Sequence, residues 1–268
     1  MMRTMFTAVS GLKVHQSALD VTANNIANVN TVGYRASRAT FVDIMSQTQR
    51  SGSAPTGGTG GSNPVQIGLG VKLGTVDNQM GQGALESTGN PLDVAVQGSG
   101  WFRVGPTSPP AASTTISYTR AGNFAINSAG YLVTQGGDYV LDAADKAIQV
   151  PSGATNVSVG QDGSLNYLVG GVAGSAGPLT LALFPNENGL QRTADTLWAA
   201  NVATGAPTVG QPNTGGFGMT VAGNLEMANV DLAQEFTSMI SAQRGFQANS
   251  RVISAADDML QDLVNLKR

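Results

Sequence analysis

The chain has 268 residues and a formal net charge of −3, with 41% hydrophobic residues and 35 glycines. Only 12% of its residues are charged, about half the usual ~25% share. It has no Lys/Arg block for sequence-independent nucleic-acid binding, no run of about 18 apolar residues for a membrane span, and no cysteine for disulfides or thiolate metal sites.

A first helix is expected from residue 3 to about 28. Met2, Met5, Val9, Leu12, Gln16, Leu19, Ala23 and Ile26 form a stripe in steps of three and four, broken only by Gln16. Polar residues interrupt it throughout, so it does not read as a cleavable signal peptide. Gly11 inside it costs roughly 1 kcal/mol relative to alanine. The pattern stops at Asn28-Val29-Asn30-Thr31-Val32-Gly33, rich in residues that disfavour continuation. Residues 34–50 fit either a short helical turn around Phe41, Ile44 and Met45 or an extended arm. Residues 51–64 read as a flexible linker or exposed loop.

Short β signals follow. Val94–Val96 and Trp101–Val104 flank a Gly-rich turn. Phe124–Ile126 and Tyr131–Val133 flank Asn127-Ser128-Ala129-Gly130, and Val157–Val159 leads into Asp162-Gly163. Leu179–Phe184 is the strongest late strand. A second helix opens near Asp231, which has capping-box spacing to Gln234, and runs nearly to Arg268, where Lys267 and Arg268 suit the negative end of its dipole. Leu232, Met239, Phe246, Ile253 and Leu260 fall seven apart along it, supported by Ala242, Ala256 and Leu263. Gly245 lies mid-helix beside a stripe residue, as Gly11 does. Both glycines read equally as points of close helix approach or as tolerated exceptions. The expected class is α+β, a mainly-β centre between two amphipathic helices with coiled-coil-like packing in a polymer. The expected segments are 1–30 (helix), 31–74 (arm and linker), 75–222 (β-rich domain) and 223–268 (helix).

Chemistry-bearing constellations are sparse. His15, the only histidine, lies between stripe positions and reads as a solvated or interface residue; no Ser-His-Asp or common zinc site can be assembled from it. Asp138, Asp142, Asp145 and Asp162 lack EF-hand spacing and read as turn residues. Gly68–Gly74 misses the G-x-G-x-x-G spacing. Trp101, Phe102 and Trp198 read as core aromatics. No catalytic, cofactor or metal residue is assigned, and the chain is not expected to be an enzyme. A secreted β-domain binding module with helical oligomerisation ends is the alternative from another class.

Four segments resemble, in order, the flagellar rod and hook axial protein family: residues 10–41 with the core Asn24-Asn25-Ile26-Ala27-Asn28-Val29-Asn30-Thr31, then 89–102, 118–133 and 229–268. The closing segment is most similar to hook subunits, with distal rod subunits next; the length suits a minimal hook subunit. The resemblance implies a tubular helical polymer that transmits torque, with the terminal helices forming its inner layer. The helical stripes, read independently, agree: they put Met5, Val9, Leu12, Leu19, Ala23 and Ile26 in an N-terminal assembly seam, and Leu232, Met239, Phe246, Ile253, Leu260 and Leu263 in a C-terminal one. The implied partners are further copies, a hook cap protein, a distal rod protein, a hook–filament junction protein and the flagellar type III export apparatus. The implied location is the extracellular hook and basal body, reached without a cleavable signal. Export information is expected between about Asn30 and Met45, with Phe41 as candidate anchor.

Overall fold

A computed structural model describes residues 2–55, 60–106 and 116–265, apart from the side chain of Leu263. Lys267 and Arg268, expected to complement the second helix, and the Leu263 side chain of the C-terminal seam therefore lie outside the described residues. The class is α+β. The chain divides into two compact units: Met1–Ala27 with Ser37–Asn78 and Asp231–Arg268, and Asn28–Ala36 with Gln79–Val230. Each composition-based segment boundary differs from this division. The residues expected as arm and linker contribute to both units, and the first unit is built from three separate stretches of chain.

In the first unit, helix α1 spans Met2–Ala27 and helix α2 spans Leu232–Asn265. The Asp231 carboxylate accepts the Ala233 N–H at 2.9 Å and the Gln234 N–H at 3.3 Å, satisfying amide groups that the first turn of α2 leaves without helical partners. The helices run antiparallel, with Gly11 beside Asn249, His15 beside Gly245 and Asn25 bonded to Glu235. These pairs keep one register. Strand Ser37–Asp43 pairs antiparallel with Val71–Asn78, with an irregularity between Ala39 and Phe41. Gln47–Arg50 pairs with Val65–Ile67, and Ser53 bridges Ser62. Residues 34–50 are thus extended, and the Ser53–Ser62 bridge continues the second of these ladders into the described part of 51–64. No helix among the described residues is long and apolar enough to cross a membrane.

The second unit is organised on a sheet of nine strands among the described residues. Its central strand Trp101–Gly105 pairs with Ser117–Thr119, Tyr139–Val140 and Leu181–Leu183. Successive strand side chains point to opposite faces, and this strand is buried on both. Phe102 and Val104 enter a core with Leu132, Val140, Leu165 and Leu181, while Trp101 enters a second with Tyr118, Phe184 and Trp198. The turn signals at 127–130 and 160–163 close the expected hairpins. Val94–Gln97 and Trp101–Gly105, though adjacent in sequence, do not pair with each other. Val94–Gln97 takes Met219–Ala222 as partner, and Leu85–Ser87 takes Asn224–Glu226. Those two ladders bring the end of the unit's chain back to its beginning.

Candidate assembly surface

The helix pair meets along small and polar side chains. On α1 the buried residues are Ala8, Gly11, Val14, Thr22 and Asn25; on α2 they are Ala242 and Ala256. A Cβ on Gly11 would lie 2.6 Å from the Asn249 amide nitrogen, and one on Gly245 would lie 2.5 Å from the His15 ring. Both glycines are therefore points of close approach. His15 lies at this crossing, edge-on to Phe41 with ring centroids 6.1 Å apart.

Asn25 is the polar centre of the unit. Its amide oxygen accepts Ser37 N–H at 2.9 Å, and its amide nitrogen donates to Ser37 O at 2.7 Å and to Glu235 Oε1 at 3.0 Å. The side chain thus mimics a neighbouring strand and joins α1, α2 and the following extended segment. Partial burial raises the Glu235 carboxyl above its ordinary value; the Asn25 hydrogen bond opposes this, and the Asp231 charge adds to it.

The apolar stripe expected on α1 is displaced from that contact line. Met5, Leu12, Leu19 and Ile26 are half-buried, and Val9 and Ala23 are exposed. The buried line runs one residue away, about 100° around the helix. On α2, Met239, Ile253 and Leu260 are half-buried, while Leu232 and Phe246 are exposed. Phe41 lies on Ser37–Asp43 and is exposed. Among the described residues, all the large apolar side chains exposed by more than a third belong to this unit except Leu85, Val172, Val202 and Val209. Phe6 is 69% exposed, Met45 81% and Ile240 50%. A unit with so few buried apolar groups leaves a surface that a second protein surface can bury with gain.

Of the remaining motif residues, Ile26 and Ala27 end α1, and Asn24 and Asn30 are exposed. Asn28 shapes the turn in the second unit by accepting the Thr31 N–H on its carbonyl and the Thr31 hydroxyl on its side chain. Gly33 follows at φ +69°, and a Cβ there would lie 2.6 Å from Ala121 N, so the turn requires glycine. Three of the four aspartates read as turn residues serve local structure through their side chains: Asp142 accepts the Ala144 and Lys146 N–H groups, Asp145 pairs with Arg103, and Asp162 accepts from Ser164.

Sequence reasoning missed the polar core of the second unit. Glu226, wholly buried, accepts Arg35 Nη1 at 2.7 Å and Gly83 N–H at 2.9 Å on one carboxylate oxygen, and Arg120 Nη1 at 3.3 Å on the other. Its carbonyl accepts Gly33 N–H at 2.7 Å. Both guanidinium carbons lie over Trp101, at 5.7 and 5.4 Å from the ring centroid, an attraction that offsets part of the cost of two buried cations against one acid. Burial lowers Arg120 to about 10; Glu226 opposes that shift and Arg35 adds to it. Arg192 donates to Arg35 O and stacks on Tyr34 and Trp198. In the sequence Arg35 and Arg120 fall in two of the resemblance segments and Glu226 lies just before the last of them, with no spacing that links the three.

Three family profiles match the chain: "Flagella basal body rod protein" over residues 5–35, "Flagellar hook protein FlgE/F/G D1 domain" over 95–167 and "Flagellar basal body rod FlgEFG protein C-terminal" over 221–266. The chain is 44% identical to the flagellar basal-body rod protein FlgG of Bacillus subtilis, with 100% of each chain covered. It is 40% identical to FlgG of Agrobacterium fabrum, covering 96% of this chain and 97% of that one. The flagellar hook protein FlgE of Borreliella burgdorferi is 25% identical over an alignment of 447 positions, with 100% of each chain covered. Matches over the full length, on the segments that build both units, place this chain in the FlgE/FlgF/FlgG family of structural flagellar rod and hook proteins.

Proposed function

We propose that this chain is the distal rod subunit of the flagellar basal body, a self-assembling structural protein. The observation that carries the reading is full-length similarity to proteins named basal-body rod protein FlgG, without the long insertions needed to align the hook protein. It replaces the hook subunit as the main reading. The hook cap and hook–filament junction partners go with the hook reading; further copies of this chain and the export apparatus remain. The exposed apolar side chains of the helical unit support assembly through that unit, since their burial between copies offsets the entropy of ordering. A heterologous contact that does not close on itself builds a filament. Export as an extended chain, with information near Phe41, completes the proposal.

Electron microscopy of polymer grown from the purified full-length chain tests it. Short straight rods are expected. Curved, flexible tubes would return the chain to the hook, and a protein that stayed monomeric under polymerising conditions would overturn self-assembly.

A further inference from the structure

The face of α2 turned away from α1 carries charges that no ion pair among the described residues answers. Arg244, Arg251 and Asp258 are seven apart and Asp262 follows four later, so the four fall within an arc of about 40°. All four are exposed. The ion pairs among the described residues all lie in the second unit. Spacing also forbids pairing along the helix, since no opposite charge stands three or four residues from any of the four. Asp258 and Asp262 repel one another across one turn and stand near the negative end of the helix. Local rules broken without local compensation point to a partner.

The register of the helix pair adds a second observation. Gly11, His15 and Asn25 lie against Asn249, Gly245 and Glu235, so α2 runs past the first residue of α1 from about residue 258 onward. The acidic pair therefore sits on a helix end that α1 does not accompany, while the basic pair sits on the accompanied part.

We propose that the acidic end of α2 in one copy docks beside Arg244 and Arg251 of the next copy. This rests on the self-assembly reading above and gives it a contact. The centres of the two charge pairs are 12 to 13 residues apart, so a parallel stagger of roughly 19 Å along the helix brings Asp258 beside Arg244 and Asp262 beside Arg251. Each copy then offers one unused acidic end and one unused basic face, and the contact repeats without closing.

Charge exchange tests it on the full-length chain, with assembly followed by sedimentation and electron microscopy. R244E/R251E and D258K/D262K should each need roughly tenfold more protein than the unsubstituted chain to polymerise, or fail to polymerise. An equimolar mixture should recover assembly, because every contact in an alternating polymer is again between opposite charges. The fourfold exchange R244E/R251E/D258K/D262K should assemble alone, which separates loss of contact from loss of folding. Unchanged assembly of both double variants would overturn this contact and leave self-assembly standing, as would variants that neither the mixture nor the fourfold exchange restores. Absence of polymer from the unsubstituted chain would overturn the self-assembly reading itself.

Discussion

Glu226 holds the Arg35 guanidinium at 2.7 Å, across 191 positions of sequence and with both side chains wholly buried. One acid thereby fixes the segment after the first helix to the segment before the second, and takes in Arg120 as well.

Glu226→Gln leaves two buried cations without an anion and should cost about 3–5 kcal/mol. Arg35→Met leaves the Glu226–Arg120 pair balanced and should cost less. Both tryptophans of the chain, Trp101 and Trp198, lie in this unit, so urea unfolding followed by tryptophan fluorescence reports it. Equal costs for the two variants would contradict the charge argument. A fragment limited to 75–222 retains Arg120 but loses Glu226 and Arg35, and should be less stable than one spanning 79–230.

Asn25→Ala removes three hydrogen bonds at a buried position and should destabilise the helix pair by about 2–3 kcal/mol. Far-UV circular dichroism should show the loss while tryptophan fluorescence holds its transition. A shift of both transitions together would mean that Asn25 does not act on the helical unit alone.

Glu235 supplies a pH dependence. Its folded-state pKa is raised by burial, so the folded helix pair holds the proton more tightly than the unfolded chain. That contribution is full below the ordinary glutamate value and is lost as pH rises through the raised one. The helical transition should therefore weaken as pH climbs through that window, and Glu235→Gln should flatten the profile. A pH profile unchanged by Glu235→Gln would refute the assignment.

Gly245→Ala gains helix propensity of about 1 kcal/mol and pushes against the movable His15 ring, so it should be near neutral. Gly245→Val adds bulk that the crossing cannot take and should lower the helical transition. Gly122 differs, because its Cβ would run into the backbone carbonyl of Val94. Gly122→Ala should cost about 1–3 kcal/mol, seen by tryptophan fluorescence.

Phe246 and Ile253, two of the residues proposed for the C-terminal seam, should separate folding from assembly. Phe246 is 38% exposed in the monomer, so Phe246→Asp should spare the helical transition and block polymer by placing an unpaired charge in the contact between copies. Ile253 is half-buried, one turn from the buried Ala256, so Ile253→Asp should impair both. Polymer of normal length from Phe246→Asp would remove that residue from the seam.

Legible along the chain were the two terminal helices, the Asp231 cap, the β character between them and the turn signals at Asn127–Gly130 and Asp162-Gly163. These depend on periodicity, propensity and turn chemistry, which act over a few residues. The family followed from ordered motifs and not from any one of them. Tertiary structure alone decided which face of α1 meets α2. The stripe was legible, but the helix pair closes a step away from it, where Gly11, Gly245 and Ala242 allow close approach and Asn25 finds Ser37. It also decided the units, because Val71–Asn78 belongs with Ser37–Asp43 and Arg35 belongs with Glu226. Partnerships between residues far apart in sequence leave no periodic trace. A buried ion pair is read from a chain as two unrelated charges until folding removes the water between them.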